Sequence, residues 1–322
     1  MTLPTASVAV VTYERPDFVA RCLDHLAAQT VAPLEVIVVD SSTSRDTADL
    51  VRHRYPWVRF AVCSAGRGAT ATARNIAFQM SGGEILAFLD DDAFAEPDWL
   101  AQLLPGFDDP TVGGVGGRQI RKQPGELTEG VDAIGRLLED GNLTGNFAAD
   151  PGAVVDVDHL LGANMSFRRS VIEELGGIRD GYAGTCMREE TDLCLRVVHA
   201  GYRLVFRPDA VVEHVAAPYA KGQRFDLRYA YWTQKNHLIL LIRNFGLGAP
   251  LVRRYLASSW RSAFEDFSVR SRRAVGRARD HDAGGAVKAG VAAPLRTGVV
   301  LAATFSGLVA GAQLARMDRL TT

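Results

Sequence analysis

Asp90, Asp91 and Asp92 follow directly on the apolar run Ile85-Leu86-Ala87-Phe88-Leu89. A buried strand that ends in three carboxylates sets several negative oxygens at one edge of a sheet, where their repulsion is costly unless a cation joins them. Oxygen-only ligands select a hard ion such as Mg2+ or Mn2+, and such an ion keeps positions open for substrate phosphates. The triplet therefore reads as a divalent-metal site with a phosphate group as its guest. A second reading is open on these residues alone, because acidic clusters also cap helices, here the one announced by Pro97, Asp98, Trp99 and Leu100.

The elements that must position such a site alternate regularly over the first hundred residues, as parallel α/β architectures do. Val8 to Thr12 reads as a strand, followed by a helix from Pro16 to Gln29 with Phe18, Cys22, Leu23 and Leu26 on one face. Glu35 to Val39 reads as a second strand ending at Asp40, Thr47 to His53 as a helix, Arg59 to Cys63 as a third strand, and Thr72 to Met80 as the helix leading to the aspartate-tipped strand. Ligands of open parallel sheets gather beyond the carboxyl ends of the strands. Thr12, Asp40 and Asp90 to Asp92 all fall at such ends, although Asp40 and Ser41 also suit a simple turn.

Bulk properties narrow the class. A chain of 322 residues is long enough for a large single domain plus an appendage or for two modest domains, and a formal net charge of -1 gives no global field for nucleic acid. Cys22, Cys63, Cys186 and Cys194 are scattered, without the Cys-x-x-Cys spacing of a zinc site or the density of a disulfide scaffold, which fits a reducing cytoplasm. Met1 to Ser7 has no basic segment, so it does not read as a secretory signal. Further along, Val112 to Gly117 suits a strand packed closely against neighbouring backbone, and a polar stretch follows it. Order is expected to resume at His159 to Phe167, with a helix near Ser170 to Leu175.

Six segments in register resemble the inverting family 2 glycosyltransferases with a GT-A fold, over roughly the first three quarters of the chain. Val11-Thr12-Tyr13-Glu14-Arg15-Pro16 is similar to the opening strand and loop, and Val38-Val39-Asp40-Ser41-Ser42 to the second. Gly68 to Asn75, with its Ala73-Arg74-Asn75 ending, and Phe88-Leu89-Asp90-Asp91-Asp92 resemble the glycine-to-Ala-Arg-Asn segment and the Asp-x-Asp motif. Gly162 to Arg169 resembles the acceptor-side strand, and Glu189-Glu190-Thr191-Asp192-Leu193-Cys194-Leu195-Arg196 the segment with the catalytic carboxylate.

The resemblance implies an α/β GT-A type nucleotide-diphospho-sugar transferase fold, a mainly parallel sheet flanked by helices, with a helical C-terminal extension. It implies a metal-dependent hexosyl- or deoxyhexosyltransferase that moves one sugar from a nucleotide-diphosphate sugar to a glycan or lipid-linked acceptor in cell-envelope polysaccharide or glycolipid synthesis. Carried over by position, Asp40 meets the base, and Thr12, Tyr13 and Arg15 line the same pocket. Arg67 and Arg74 meet the diphosphate or hold nearby carboxylates, and Asp90 and Asp91 belong to the donor site. Asp92, with Asp90 and His214, ligates Mn2+ or Mg2+, a neutral imidazole suiting Mn2+ better. Glu190 is the first choice for the general base, with Glu189 and Asp192 as alternatives, because this chain has Glu where the family usually has Asp. Asp192 and Arg196 are also spaced for an i, i+4 ion pair.

The Gln-x-x-Arg-Trp string of the family's processive members does not occur, the nearest fragment being Gln234-Lys235-Asn236-His237, so a single transfer is expected. Tyr229, Tyr231 and Trp232 suit either sugar stacking or packing. The expected domains are 1–245 for transfer and 246–322 for a basic, helical tail. Arg253, Arg254, Arg261, Arg270, Arg272, Arg273, Arg277 and Arg279, interleaved with Leu, Trp and Phe, suit an anionic membrane surface. Thr297 to Ala315 is uncharged but marginally apolar, so the protein is placed in the cytoplasm, peripheral at the inner face of the plasma membrane. Two other classes fit parts of the pattern: a catalytically silent nucleotide-sugar binding protein, and a nucleotidyltransferase, against which the lack of a glycine-rich, lysine-bearing loop near Thr12 argues.

Overall fold

A computed structural model describes residues 3–121, 130–184, 187–215, 227–279 and 283–321. Cys186 and residues 122–129 of the polar stretch lie outside the described residues, as do the side chains of Arg270, Arg273, Arg277 and Arg279. The chain forms two compact units. One comprises Met1–Leu137, Leu143–Asp180 and Glu189–Ala220, and the other Leu138–Asn142, Gly181–Arg188 and Lys221–Thr322.

The first unit begins with β1 (Ala6–Thr12), α1 (Pro16–Ala27), β2 (Glu35–Asp40), α2 (Asp46–Arg54), β3 (Arg59–Val62), α3 (Thr70–Met80) and β4 (Ile85–Asp90). These are the elements expected from the sequence, their ends shifted by one or two residues. It continues with β5 (Ala93–Ala95), α4 (Trp99–Leu103), β6 (Val112–Ile120), β7 (Val155–Val157), β8 (Met165–Arg168), α5 (Arg169–Glu174), α6 (Glu189–His199) and β9 (Arg203–His214). Strand β5 directly follows the aspartate triplet, so the triplet does not cap a helix; α4 starts only at Trp99, and its N-cap Asp98 makes no capping side-chain bond.

The strands read as unbroken apolar runs because both faces of the sheet are covered. Along β1, β2 and β4, Val8, Val10, Val36, Val38, Ile85 and Leu89 join one core with Val19, Leu23 and Trp99. The alternating Ala9, Ile37, Val39, Leu86 and Phe88 join a second core with Ala73, Ala77 and Leu193. Among the described residues the sheet order is β3-β2-β1-β4-β8-β6-β9-β5, with β7 on β9. The first four strands are parallel, as expected; beyond β4 the sheet is mixed, because β8 returns antiparallel between β4 and β6.

Registers fix the rim. Thr12 pairs with Asp40 and Val11 with Asp90, so the ends of β1, β2 and β4 lie side by side. On the other side, the β6–β9 ladder passes from Gly117↔Arg207 to Gln119↔Val212, skipping Pro208 to Val211. A proline is tolerated in that interruption because it owes the ladder no N–H. Past it, β9 pairs with β5, which sets His214 opposite Ala93 and so beside the triplet.

Gly117 sits where the backbones converge: a Cβ there would lie 1.9 Å from the Ala210 carbonyl oxygen and 2.7 Å from Asn164 Nδ2. Backbone cannot rotate away as a side chain can. We expect Gly117→Ala to lose about 1–3 kcal/mol or more, the cost of overpacking a filled interior. Urea denaturation measures it, and an unchanged midpoint would show that β9 moves freely there.

The second unit contains α7 (Leu227–Phe245), α8 (Pro250–Arg279) and α9 (Ala283–Thr321). The expected boundary at 245/246 falls inside it, because α7 packs on α9 and α8. Ala303, Gly307, Gly311 and Ala315 recur every four residues on α9 and are buried. A Cβ on Gly307 would meet the Lys235 carbonyl oxygen at 3.0 Å, and one on Gly311 would meet Ile242 at 2.9 Å. The small residues that dilute the hydrophobicity of this stretch thus let α9 approach α7 closely. Arg243 and Asp318 join the same helices through two 2.9 Å bonds. Inside the unit, Gln234 donates to Ser259 and Thr304 and accepts from Tyr255, while His237 bonds the Gly141 carbonyl at 2.8 Å. The Gln234 to His237 fragment is therefore interior structure. Trp232 lies against Gly184, a glycine held at φ +80°, and edge-on to Tyr231.

Candidate active site

At the carboxyl rim of β1, β2 and β4 the three aspartates part company. Asp91 points inward, where its Oδ2 accepts 2.7 Å from Thr12 Oγ1 and its Oδ1 accepts 2.9 Å from Arg15. Burial, aided by Asp92, pushes its carboxyl up to about 7 against the opposing pull of Arg15 and Thr12. Asp91 thus holds Thr12 and Arg15 in place, and its contacts are to the protein rather than to open space.

Asp90 and Asp92 flank it. One ligand atom from each of Asp90, Asp92 and His214 falls within 4.8 Å of the other two. His214 Nε2 is 3.3 Å from Asp92 Oδ1, and the Val215 amide donates 3.1 Å to the Asp92 carbonyl, tying β9 to the triplet. Two carboxylates and an imidazole facing one point are a donor set that Mn2+ or Mg2+ fits. Arg15 lies 3.7 Å from Asp92 as well as on Asp91. Burial opposes the charge of Arg15, but Asp91, Asp92 and Asp90 outweigh it and raise its pKa.

The rim loops are stitched together beside this cluster. Asp40 Oδ1 accepts from the Ser42 amide at 2.9 Å and from the Ser42 hydroxyl, so Asp40 does build a turn as well as line the rim. Glu14, at φ 55°, receives the Thr43 hydroxyl at 2.7 Å and amide at 2.8 Å, bonds that hold its carboxyl below the usual range. Its own amide donates 2.6 Å to Ser42. Tyr13 is half-buried next to this latch, and Arg67 is exposed in the loop before α3. The sequence motifs assign Glu14 no role; the available signal is a carboxylate two residues past the end of β1 together with the Ser-Ser-Thr-Ser run after β2.

Arg74 is 2% exposed and pairs with Glu189, which is 3% exposed, while its other nitrogen is 3.3 Å from Asp90 and from the Gly162 carbonyl. Arg74 thus holds two carboxylates, Asp90 and Glu189. Burial pushes the Glu189 carboxyl up to about 8, Arg74 pulling it down and Glu190, Asp90 and Asp192 pushing it further up. Glu189 Oε2 has no hydrogen-bond partner among the described residues. Asp192 is fully buried, 4.0 Å from Arg179, and Arg196 donates to the carbonyls of Leu175 and Gly177. Glu190 alone of the three candidate carboxylates is only half-buried, at the first turn of α6.

A mixed sheet whose strand ends gather a metal-competent acidic cluster next to a helix bearing carboxylates is an arrangement of the GT-A fold class. A family model, Glycosyl transferase family 2, matches residues 7–176, and the chain belongs to that family. It is 28% identical over 230 residues to a glucosyl-dolichyl phosphate glucuronosyltransferase of Haloferax volcanii, covering 65% of this chain and 68% of that one. It is 25% identical over 217 residues to an O-antigen chain rhamnosyltransferase of Salmonella typhimurium, covering 65% of each. The fold matches a mannosyltransferase from Pyrobaculum calidifontis solved with GDP-Man and Mn2+, at a TM-score of 0.60 and 22% identity, over 99% of this chain and 88% of that one. The protein is thus a family 2 glycosyltransferase with a GT-A fold.

Proposed function

We propose that the protein transfers a single sugar, with inversion and with the help of a divalent cation, from a nucleotide-diphosphate sugar to a hydroxyl of a glycan or lipid-linked acceptor. The setting proposed is cell-envelope polysaccharide or glycolipid synthesis at the inner face of the plasma membrane. The relatives' names, a dolichyl phosphate-linked substrate and an O-antigen chain, support that setting. The single observation that carries the reading is the convergence of Asp90, Asp92 and His214 on one point.

In this reading Asp90, Asp92 and His214 hold Mn2+ or Mg2+, which when bound supplies positive charge to the departing nucleoside diphosphate. Asp40, Tyr13 and Thr12 line the nucleotide end, with Arg15 and Arg67 on the phosphate side. Arg74 fixes Asp90 from behind, and Asp91 fixes Arg15. Glu190 takes the acceptor proton, since a base must reach a bound hydroxyl and Glu189 and Asp192 are enclosed in the protein.

The test pairs binding with turnover. Ligands that bind only the folded state raise its melting temperature by mass action. We expect one nucleotide sugar of a panel to stabilise the protein with Mn2+ present and not after chelation, and Asp92→Ala to abolish both this shift and nucleoside diphosphate release. Undiminished metal-dependent stabilisation and release in Asp92→Ala would overturn the reading.

A further inference from the structure

Helix α8 carries two faces of opposite character. Val252 and Tyr255 are buried and Ser259 bonds Gln234, so one side belongs to the interior of the helical unit. At 100° per residue, Trp260, Phe264 and Phe267 fall together on the other side, and they are 51%, 72% and 37% exposed. Val275, 53% exposed, continues the same stripe two turns further on. Three exposed aromatic side chains in line are uncommon on a soluble surface and mark an interaction site.

Charge says what covers it. Arg254, Arg261 and Arg272 fall on one line of the helix, flanking the aromatic stripe, and all are exposed; Arg253 is exposed within the stripe itself. The acids of this helix segment lie off the stripe: Asp266 points toward Arg296 on α9 at 3.7 Å, and Glu265 falls beyond the arginine line. Aromatic rings with arginines at their border match the boundary of an anionic bilayer, rings among the acyl chains and guanidinium groups at the phosphates. A protein partner would need a matching apolar groove, whereas a bilayer takes any helix of this pattern. Helix α9 contains a stretch, Pro294–Leu320, long and apolar enough to cross a membrane, but its small-residue face is committed to α7.

We infer that the exposed Trp260–Phe264–Phe267 face of α8, bordered by Arg254, Arg261 and Arg272, is an interfacial docking surface for an anionic lipid bilayer. This rests on the membrane setting proposed above and deepens it by naming the surface that meets the bilayer, while vesicle binding is tested apart from sugar transfer because it needs neither metal nor donor.

The full chain, without detergent, is tested by co-sedimentation with vesicles of phosphatidylcholine alone or with about one third phosphatidylglycerol. Wild type is expected to bind the anionic vesicles at least about tenfold better than neutral ones, with the difference shrinking as salt rises. The variant Trp260→Ser/Phe264→Ser/Phe267→Ser is expected to lose about tenfold or more in binding while keeping its thermal midpoint and its donor-induced stabilisation. Arg254→Gln/Arg261→Gln/Arg272→Gln is expected to lose the preference for anionic vesicles. Depth is read from tryptophan quenching by bromine-labelled lipid, which Trp260→Tyr should abolish while binding persists. Equal binding of wild type and the aromatic variant overturns the proposal, as does equal binding to both vesicle types. So does a wild-type dimer that the aromatic variant converts to monomer without any change in vesicle binding, which would make the face a contact between copies.

Discussion

Glu190→Gln is expected to lower the rate of sugar transfer by about a hundredfold to ten-thousandfold, the usual worth of a positioned general base, with donor binding unchanged. The substitution keeps shape and hydrogen-bonding reach and removes only the capacity to take a proton. Neither neighbour substitutes for it: Glu189 is held by Arg74, and Asp192 is fully buried near Arg179. Initial rates of nucleoside diphosphate release, with donor affinity measured separately, check the expectation. The split matters, because a loss confined to KM would mean that Glu190 binds acceptor without moving its proton. A Glu190→Gln protein of wild-type rate and wild-type stability would move the base elsewhere, and an equally inactive wild type would favour a silent binding protein.

How much of this site could be read from the chain follows from which interactions are local. Strand ends were legible because period and punctuation are local properties, and the rule that ligands gather at carboxyl ends then placed Thr12, Asp40 and Asp90 together. The registers confirm that neighbourhood. His214 reaches Asp92 only because β9 interrupts its ladder at Pro208 and then pairs with β5, a long-range event that no spacing announces. The unequal fates of Asp90, Asp91 and Asp92 are likewise invisible in a run of identical residues: which side chain turns inward depends on Thr12 and Arg15 waiting there. The same holds for the tail. Composition marked a change near 246, yet α7 belongs with the helices after it, because the small residues of α9 need its surface.

Arg74→Met is expected to be the most damaging single change at the site that touches neither donor nor acceptor. Arg74 and Glu189 are both nearly sealed from water, and removing one partner of a buried pair costs about 3–5 kcal/mol because the other charge is stranded. Glu189 has a partial escape, since its carboxyl already stands at about 8 and can hold a proton instead. The loss should therefore depend on pH. A carboxyl whose folded pKa lies above its unfolded value lends stability while protonated and withdraws it as pH rises from the ordinary range through the folded value. Without Arg74 pulling it down that value rises further; below about pH 8 Glu189 is protonated in both folded proteins, so the pH-dependent part of the variant's melting deficit should be small there and grow as pH rises above about 8. Arg74→Met/Glu189→Met removes both partners and should recover most of the stability, as replacement of buried ion pairs by apolar groups often does. Activity should not recover with it, because Asp90 loses the guanidinium that holds it from behind. If the double variant regained full turnover, Arg74 would matter only to the packing of α6, and Asp90 would be positioned by something else.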